Sequence, residues 1–380
     1  MLQLTPTTWL LLGDKRGDNG QVEAVAAALG WPCDRKNLVM KARYQKAKPR
    51  FRATFDHLDL DQSDPLAAPW PELIVTSGRR PAMAALWVRE QSANRTRVVH
   101  IGKPSGAMHE YDLVVASGEN HLPPLPNYLP ITLPLMRVST DAIRAEVERW
   151  RSRLAGLPRP LIALFIGGPT GPFRMNARVA WALVAEVARI RGLGGTAYVV
   201  TSRRTPAKVV KALRARLPRE VPFFAWPEDA PPDGAPSAID NPYRALLGTA
   251  DGFVVTGDSI SMLVEVAALG KPLAIFPLPT GLFGGLDQLR REWQRKLFSP
   301  RCETRGDRLR QALARFIYRW DRLGLLNGTR DFRYFHELLV KRHLAVWAGE
   351  PLRIGGTVPP DDLQVVVERI RGLVGRRGEW

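Results

Sequence analysis

Residues 250–276 read ADGFVVTGDSISMLVEVAALGKPLAIF, and this stretch decides the fold. An apolar run ends in Thr-Gly-Asp-Ser. A helix-like segment follows, and Gly-Lys-Pro then leads into a second apolar run. Unbroken Val/Ile/Leu/Phe runs, without apolar–polar alternation, are expected of strands covered on both faces, hence of a parallel sheet clothed by helices. The same grammar recurs along the chain. "TWLLLG" (8–13) leads into "NGQVEAVAAALG" (19–30), and "ELIVTSGRR" (72–80) leads into "PAMAALWVREQ" (81–91). "TRVVHIG" (96–102) and "DLVVASG" (112–118) follow. The pattern restarts with "PLIALFIGG" (160–168), "GTAYVVTSRR" (195–204), "VPFFAW" (221–226) and "KPLAIFPLP" (271–279). Strand, loop, helix and strand in repetition is the mark of a doubly wound sheet.

The two series predict two Rossmann-like domains, with parallel sheets facing a central cleft. Between them a helix is expected over Asp141–Leu154, with Ile143, Val147, Trp150 and Leu154 on one face, followed by a linker at Gly156–Pro160. The expected division is residues 1–155, residues 156–345, and an extension, 346–380. The extension has a helix over Asp361–Val374 that packs back across the domains.

At 380 residues the chain exceeds one typical domain, and 45% hydrophobic content supplies real cores. Its two cysteines, Cys33 and Cys302, exclude a disulfide framework and a cysteine zinc site, and fit a reducing compartment. No apolar run is long enough to span a bilayer, so a cytoplasmic location is expected. The net charge is +18, and Arg35–Arg52 holds eight Lys/Arg and no acid. Arg290–Arg319 is a second arginine-rich stretch. Such patches suit anionic lipid headgroups or phosphorylated substrates as well as plain solvation. No zinc-finger or RRM pattern is present, and nucleic acid is not an expected partner.

Ligands of open parallel sheets bind at the carboxyl ends of strands. The residues just after each run are therefore the site candidates: Gly167, Gly168 and Thr170; Ser202, Arg203, Arg204 and Thr205; Asp258, Ser259 and Ser261. Glycines allow close approach, hydroxyls donate to phosphate oxygens, and arginines grip them, which together suits a diphosphate. Glu265 is out of place among Leu263, Val264, Val266 and Ala267. If the helix begins near Asp258, then Asp258, Ser261 and Glu265 form one stripe at i, i+3 and i+7. A salt bridge to an arginine would explain Glu265 structurally; acceptance of two ribose hydroxyls would explain it functionally.

The 250–276 segment resembles the donor domain of GT-B glycosyltransferases, with the Glu-(x)4-Gly spacing at Glu265–Gly270. More closely, the chain is similar to the mitochondrial-fission "elongated mitochondria" family, whose bacterial members are regarded as glycosyltransferases. The matching stretches are "GDKRGDNGQ" (13–21), "TSGRR" (76–80), "IGGPTGPFRM" (166–175), "TSRRTP" (201–206) and 241–272. Where the family often has a Pro-Glu-His-Asp-like stretch, this chain has Ser117, Gly118, Glu119 and Asn120. The resemblance implies a metal-independent transferase without a cofactor, using a nucleotide sugar as donor. The acceptor is not identified by the resemblance; the basic segment Arg35–Arg52 leads to the expectation of an anionic membrane surface that brings a lipid-linked acceptor. Asp18 would be the general base, with Asp14, His100 and His121 as alternatives; a helix N-cap is the structural reading of Asp18. A nucleotide-sugar epimerase or hydrolase, or a non-catalytic membrane adaptor, are the competing functions.

Overall fold

A computed structural model of the chain describes residues 5–46, 49–106, 108–136, 138–227, 240–281, 284–298, 304–320, 330–352 and 359–375. Cys302 and parts of both arginine-rich stretches and of the C-terminal extension lie outside the described residues. The chain divides into two compact units. One comprises Met1–Arg137, Arg291–Gly328 and Pro360–Trp380; the other comprises Val138–Arg290 and Thr329–Pro359.

In the first unit, strands β1 (Thr8–Leu12), β2 (Asp34–Asn37), β3 (Leu73–Ser77), β4 (Arg97–Ile101), β5 (Leu113–Ser117) and β6 (Tyr128–Ile131) form one sheet. Its order is β2-β1-β3-β4-β5-β6, and every pairing is parallel. The apolar runs work as expected because alternate residues feed two cores. Trp9, Leu11 and Ile74 join one cluster; Leu10, Leu12 and Val75 join the other. Helix α1 (Arg16–Leu29) covers one face through Val22, Val25 and Leu29, and α3 (Arg79–Gln91) covers the other through Ala82, Ala85 and Val88. The short α2 (Ala42–Lys46) lies between β2 and β3 in the chain.

In the second unit, β7 (Leu161–Ile166), β8 (Thr196–Thr201), β9 (Phe223–Phe224), β10 (Gly252–Thr256), β11 (Leu273–Phe276) and β12 (Val346–Trp347) pair in the order β12-β11-β10-β7-β8-β9, again all parallel. Its helices are α4 (Thr140–Leu154), α5 (Ala177–Gly192), α6 (Ala207–Arg214), α7 (Tyr243–Thr249), α8 (Ile260–Ala268) and, further along the chain, α11 (Phe332–Lys341). Between α8 and α11 come α9 (Gly284–Leu297), which runs across the division between the units, and α10 (Arg305–Trp320), which belongs to the first. Last comes α12 (Asp362–Gly375).

The sequence-based boundary at 155 differs from this division. Helix α4 belongs with the second unit because it packs on α7: a Cβ on Gly248 would come within 2.3 Å of Val147 Cγ2 and 2.9 Å of Ile143 Cγ2. Only glycine lets the two helices approach so closely. Residues 291–328 likewise leave the expected donor domain for the first unit, where Leu297, Phe298 and Ala314 close a small cluster of their own. The C-terminal helix α12 belongs to the first unit. It docks on α1, burying Val366, Val367 and Ile370, and Asp362 accepts the Thr132 N–H at 2.6 Å.

Candidate functional site

Each sheet has a point where strand order reverses and the flanking loops diverge to opposite faces, which leaves a crevice at the carboxyl edge. In the second unit this point lies between β7 and β10, and in the first between β1 and β3. Asp14, Asp18, Gly168, Thr170, Ser202, Arg203, Arg204, Asp258 and Ser259 lie in loops or helix starts at strand ends; Ser261 and Glu265 lie within a helix, and the alternative base His100 lies within β4. The loops are tied together there.

In the second unit, the Gly167 N–H donates to Thr256 Oγ1 at 2.8 Å, and the Gly168 N–H donates to Asp258 Oδ2 at 2.7 Å. A Cβ on Gly167 would sit 2.1 Å from Asp258 Oδ2, and one on Gly168 would sit 2.4 Å from the Arg204 carbonyl oxygen. Both glycines are therefore required by close approach. Thr205 knots the third loop to the first: its hydroxyl donates to Gly167 O at 2.6 Å and accepts from the Ser202 N–H at 2.9 Å. The Ser202 hydroxyl lies 3.2 Å from that same oxygen. Arg204, exposed, donates from Nη1 to Thr170 Oγ1 at 3.0 Å. Arg203 is exposed beside it.

Asp258 is 3% exposed, and its second oxygen, Oδ1, is buried without a hydrogen-bond partner among the described residues. Burial raises the carboxyl's pKa, against the opposing pull of the Thr256 and Gly168 hydrogen bonds and the Arg204 charge. The helix starts later than expected: α8 begins at Ile260, with Ser259 as its buried cap residue, so Asp258 stands just outside it. Ser261, exposed, and Glu265 remain four apart on one face of α8.

Glu265 finds a partner that the sequence reading did not name. Tyr243 OH, at the start of α7, donates to Glu265 Oε2 at 2.7 Å, and its ring lies 4.5 Å from that of Phe165. Burial raises the pKa of both groups, most strongly that of Tyr243, which also faces the carboxylate charge. Tyr243 was within reach as a signal, since it stands inside the 241–272 motif. His336 was not. It lies 79 residues from Gly257, whose carbonyl accepts its Nε2–H at 2.8 Å from beneath the loop. Burial pushes its pKa down to about 4, so the ring is neutral.

In the first unit, a cavity of about 240 Å³ opens at the strand reversal, lined by Asp14, Asp18, Asn19, Ser77, Gly78 and Arg79 among others. Asn19 brackets Gly13 by giving its Nδ2–H to Gly13 O at 2.8 Å and accepting the Gly13 N–H at 3.0 Å. Asp14 pairs with Arg80 at 3.0 Å, so its charge is already committed. Asp18 is not the helix cap; Lys15 holds that position and Asp18 is the third residue of α1. Its Oδ2 approaches Gly78 closely, 3.0 Å from where a Cβ would stand, and Gly78 has a φ of +83°. Arg79 is occupied with Pro49 O, through Nε and Nη2.

His100 does not serve as an accessible base. It is 0% exposed, burial pushes its pKa down to about 4, and its Nδ1–H donates to Gly102 O at 3.2 Å. His121 sits in the left-handed region with a φ of +44°. In the Ser117–Asn120 stretch, the Ser117 hydroxyl donates to buried Glu119 at 2.6 Å. Among the described residues, no group of three or more His, Cys, Asp or Glu is placed to hold a metal, and no helix is long and apolar enough to cross a membrane.

Two doubly wound α/β units, each with polar loops gathered at its strand reversal, define the class of the molecule. The sequence profile of the mitochondrial fission ELM1 family matches residues 16–293, and the chain belongs to that family. It is 24% identical over 227 residues to the mitochondrial fission protein ELM1 of Arabidopsis thaliana, covering 54% of this chain and 51% of that one. The chain thus spans about half the length of that relative. It is 21% identical over 308 residues to protein RP120 of Rickettsia prowazekii, covering 71% and 83%. Among solved structures, a glycosyltransferase from Rickettsia africae ESF-5 superposes with a TM-score of 0.46 at 12% identity, over 98% of this chain and 99% of that one.

Proposed function

We propose that the chain binds a nucleotide sugar at the β7/β10 strand reversal and transfers the sugar to an acceptor hydroxyl, without a metal or further cofactor. The observation that carries this reading is the Gly167-Gly168 loop held against buried Asp258, with Glu265 inside the helix that follows. This arrangement keeps backbone, arginines and the start of α8 close together where a diphosphate would lie. In this reading Gly168, Thr170, Ser202, Arg203, Arg204, Ser259 and Ser261 surround the diphosphate, Asp258 shapes the loop, and Glu265 receives the ribose hydroxyls. Asp18 takes the proton from the acceptor hydroxyl as that oxygen bonds to the anomeric carbon. The sugar–phosphate bond breaks, and the nucleoside diphosphate leaves with the bond's electron pair.

The acceptor is taken to be lipid-linked, at the cytoplasmic face of an anionic membrane, with the basic segment Arg35–Arg52 contributing long-range attraction. Several of its cations also have local partners: Arg35 lies 3.6 Å from Glu23, Lys36 2.8 Å from Asp34, and Arg52 2.6 Å from Asp56. Surface ion pairs of this kind are weak and screened by salt.

Calorimetric titration with nucleosides, their phosphates and nucleotide sugars tests the donor site. A nucleoside diphosphate should bind clearly more tightly than the monophosphate, because Arg203, Arg204 and the α8 start address the second phosphate. Equal affinities would remove the diphosphate grip. Donor binding with no transfer to any acceptor, and no change to the nucleotide sugar itself, would favour the adaptor; turnover without an acceptor would favour the epimerase or hydrolase.

Glu265→Gln separates function from folding. Its amide oxygen can still accept the Tyr243 hydroxyl, but it loses the charge that strengthens ribose binding, worth about 1–3 kcal/mol. Nucleotide affinity should fall by that amount. Stability should move the other way. The folded carboxyl has a raised pKa, so its favourable contribution is complete below the unfolded value and is lost as pH rises through the folded one. Glutamine does not titrate, so the variant should melt no lower than wild type at neutral pH, with its relative stability declining on acidification. Unchanged affinity, or equal destabilisation at every pH, would count against both assignments.

A further inference from the structure

Helix α10 turns the usual amphipathic arrangement outward. Its buried apolar contribution among the described side chains is Ala314, which meets Leu297 and Phe298. On another side of the helix, Leu309, Leu313 and Phe316 stand at i, i+4 and i+7, 74%, 50% and 61% exposed. These are three large apolar side chains along about 10 Å of one surface. Arg305, one turn before Leu309, and Arg308 are exposed on the same helix, as are Arg295 and Lys296 on α9. The acid on α10 itself, Asp307, is engaged within the helix start. Asp307 accepts from the Thr304 N–H and hydroxyl, completes a capping box by donating its own N–H back to Thr304 Oγ1, and pairs with Arg310 at 3.0 Å.

We infer that this face of α10 is a membrane-docking surface, which lies in the plane of an anionic bilayer with Leu309, Leu313 and Phe316 inserted between headgroups and the arginines against lipid phosphates. An apolar stripe bordered by long cationic side chains matches both layers of a bilayer interface, since the arginine stems cover apolar surface while their heads reach phosphate. The inference rests on the membrane-surface part of the functional reading, and assigns that contact to a specific helix rather than to the segment Arg35–Arg52.

The test is co-sedimentation of the full chain with phosphatidylcholine vesicles, with and without phosphatidylglycerol, for wild type, L313E/F316E, L309E and R43E/R50E. All substituted side chains are solvent-facing or at the surface, and circular dichroism and a melting curve establish that each variant is folded. Wild type should pellet with the anionic vesicles. L313E/F316E should reduce that partition by roughly tenfold or more, the scale expected from losing the burial of two large apolar side chains on binding. L309E should reduce it in the same direction, and R43E/R50E should change it less. Loss in R43E/R50E with L313E/F316E unaffected would overturn the assignment to α10 while leaving membrane binding in place. Failure of wild type to pellet with either vesicle would overturn membrane binding itself. A concentration-dependent dimer of wild type, abolished by L313E/F316E in sedimentation velocity without vesicles, would reassign the face to self-association.

Discussion

Asp18→Asn protein is expected to transfer sugar roughly 10²–10⁴-fold more slowly than wild type, the usual contribution of a positioned general base. Asparagine keeps the shape beside Gly78, but it cannot accept the acceptor's proton. Donor affinity should stay close to wild type, because the proposed donor site belongs to the other unit. The paired change Asp14→Asn should have the smaller effect on rate, since Asp14 is already ion-paired with Arg80. Single-turnover measurement with saturating donor reads the chemical step directly. Undiminished turnover in Asp18→Asn would dismiss Asp18 as the base, and a larger loss in Asp14→Asn would transfer the role there.

Gly168→Ala should be strongly damaging, because the added methyl meets backbone that cannot swing aside. The added carbon would stand 2.4 Å from both Arg204 Cβ and the Arg204 carbonyl oxygen, a separation that side chains do not tolerate. The loops after β7 and β8 must then part, which disturbs the Asp258 hydrogen bond to the Gly168 N–H as well. Overpacking of this kind costs about 1–3 kcal/mol. Nucleotide affinity should fall together with stability, because the same loops form the proposed phosphate crevice. Gly192→Ala is the control: it is exposed near the end of α5, with nothing within 4 Å of the added carbon. A Gly168→Ala melting curve that overlays the control would mean that the crevice is looser than its geometry indicates.

What could be read in advance follows physical rules. Strands buried on both faces, such as β3, β5, β7 and β10, announce themselves as unbroken apolar runs. The edge strand β2, Asp34-Arg35-Lys36-Asn37, has no such run, because only one neighbour and little core constrain it. The two-residue edge strands β9 and β12 are too short to carry a pattern, although β9 falls inside the expected "VPFFAW" run. The loops at the strand ends were legible as glycine, hydroxyl and arginine clusters. Their internal wiring was not: much of the hydroxyl chemistry at Ser202 and Thr205 holds loop to loop, a pairing that depends on register. Glu265 stood out by its apolar neighbours, but its partner Tyr243 is 22 residues away and is brought close only by packing. The placement of α4 was missed for a similar reason. Its apolar face was correctly read, but a face does not say which domain it meets; the small residue that receives it, Gly248, lies about a hundred residues downstream.

The return of α12 onto α1 has a consequence for how the protein is born. Thr132 and Asp362 are 230 residues apart in the chain, yet they bond, and Val366, Val367 and Ile370 complete the core beneath β1, β3 and β4. A ribosome therefore releases the strands of the first sheet long before it makes the helix that covers one of their faces. That apolar face must wait, shielded by a chaperone or by transient contacts, while the second unit's sheet is synthesised. Such delayed closure is a recognised hazard for multidomain chains. A nascent chain halted at residue 359 should accordingly be captured by chaperones and cut by protease in the first unit, and release of the complete chain should end both.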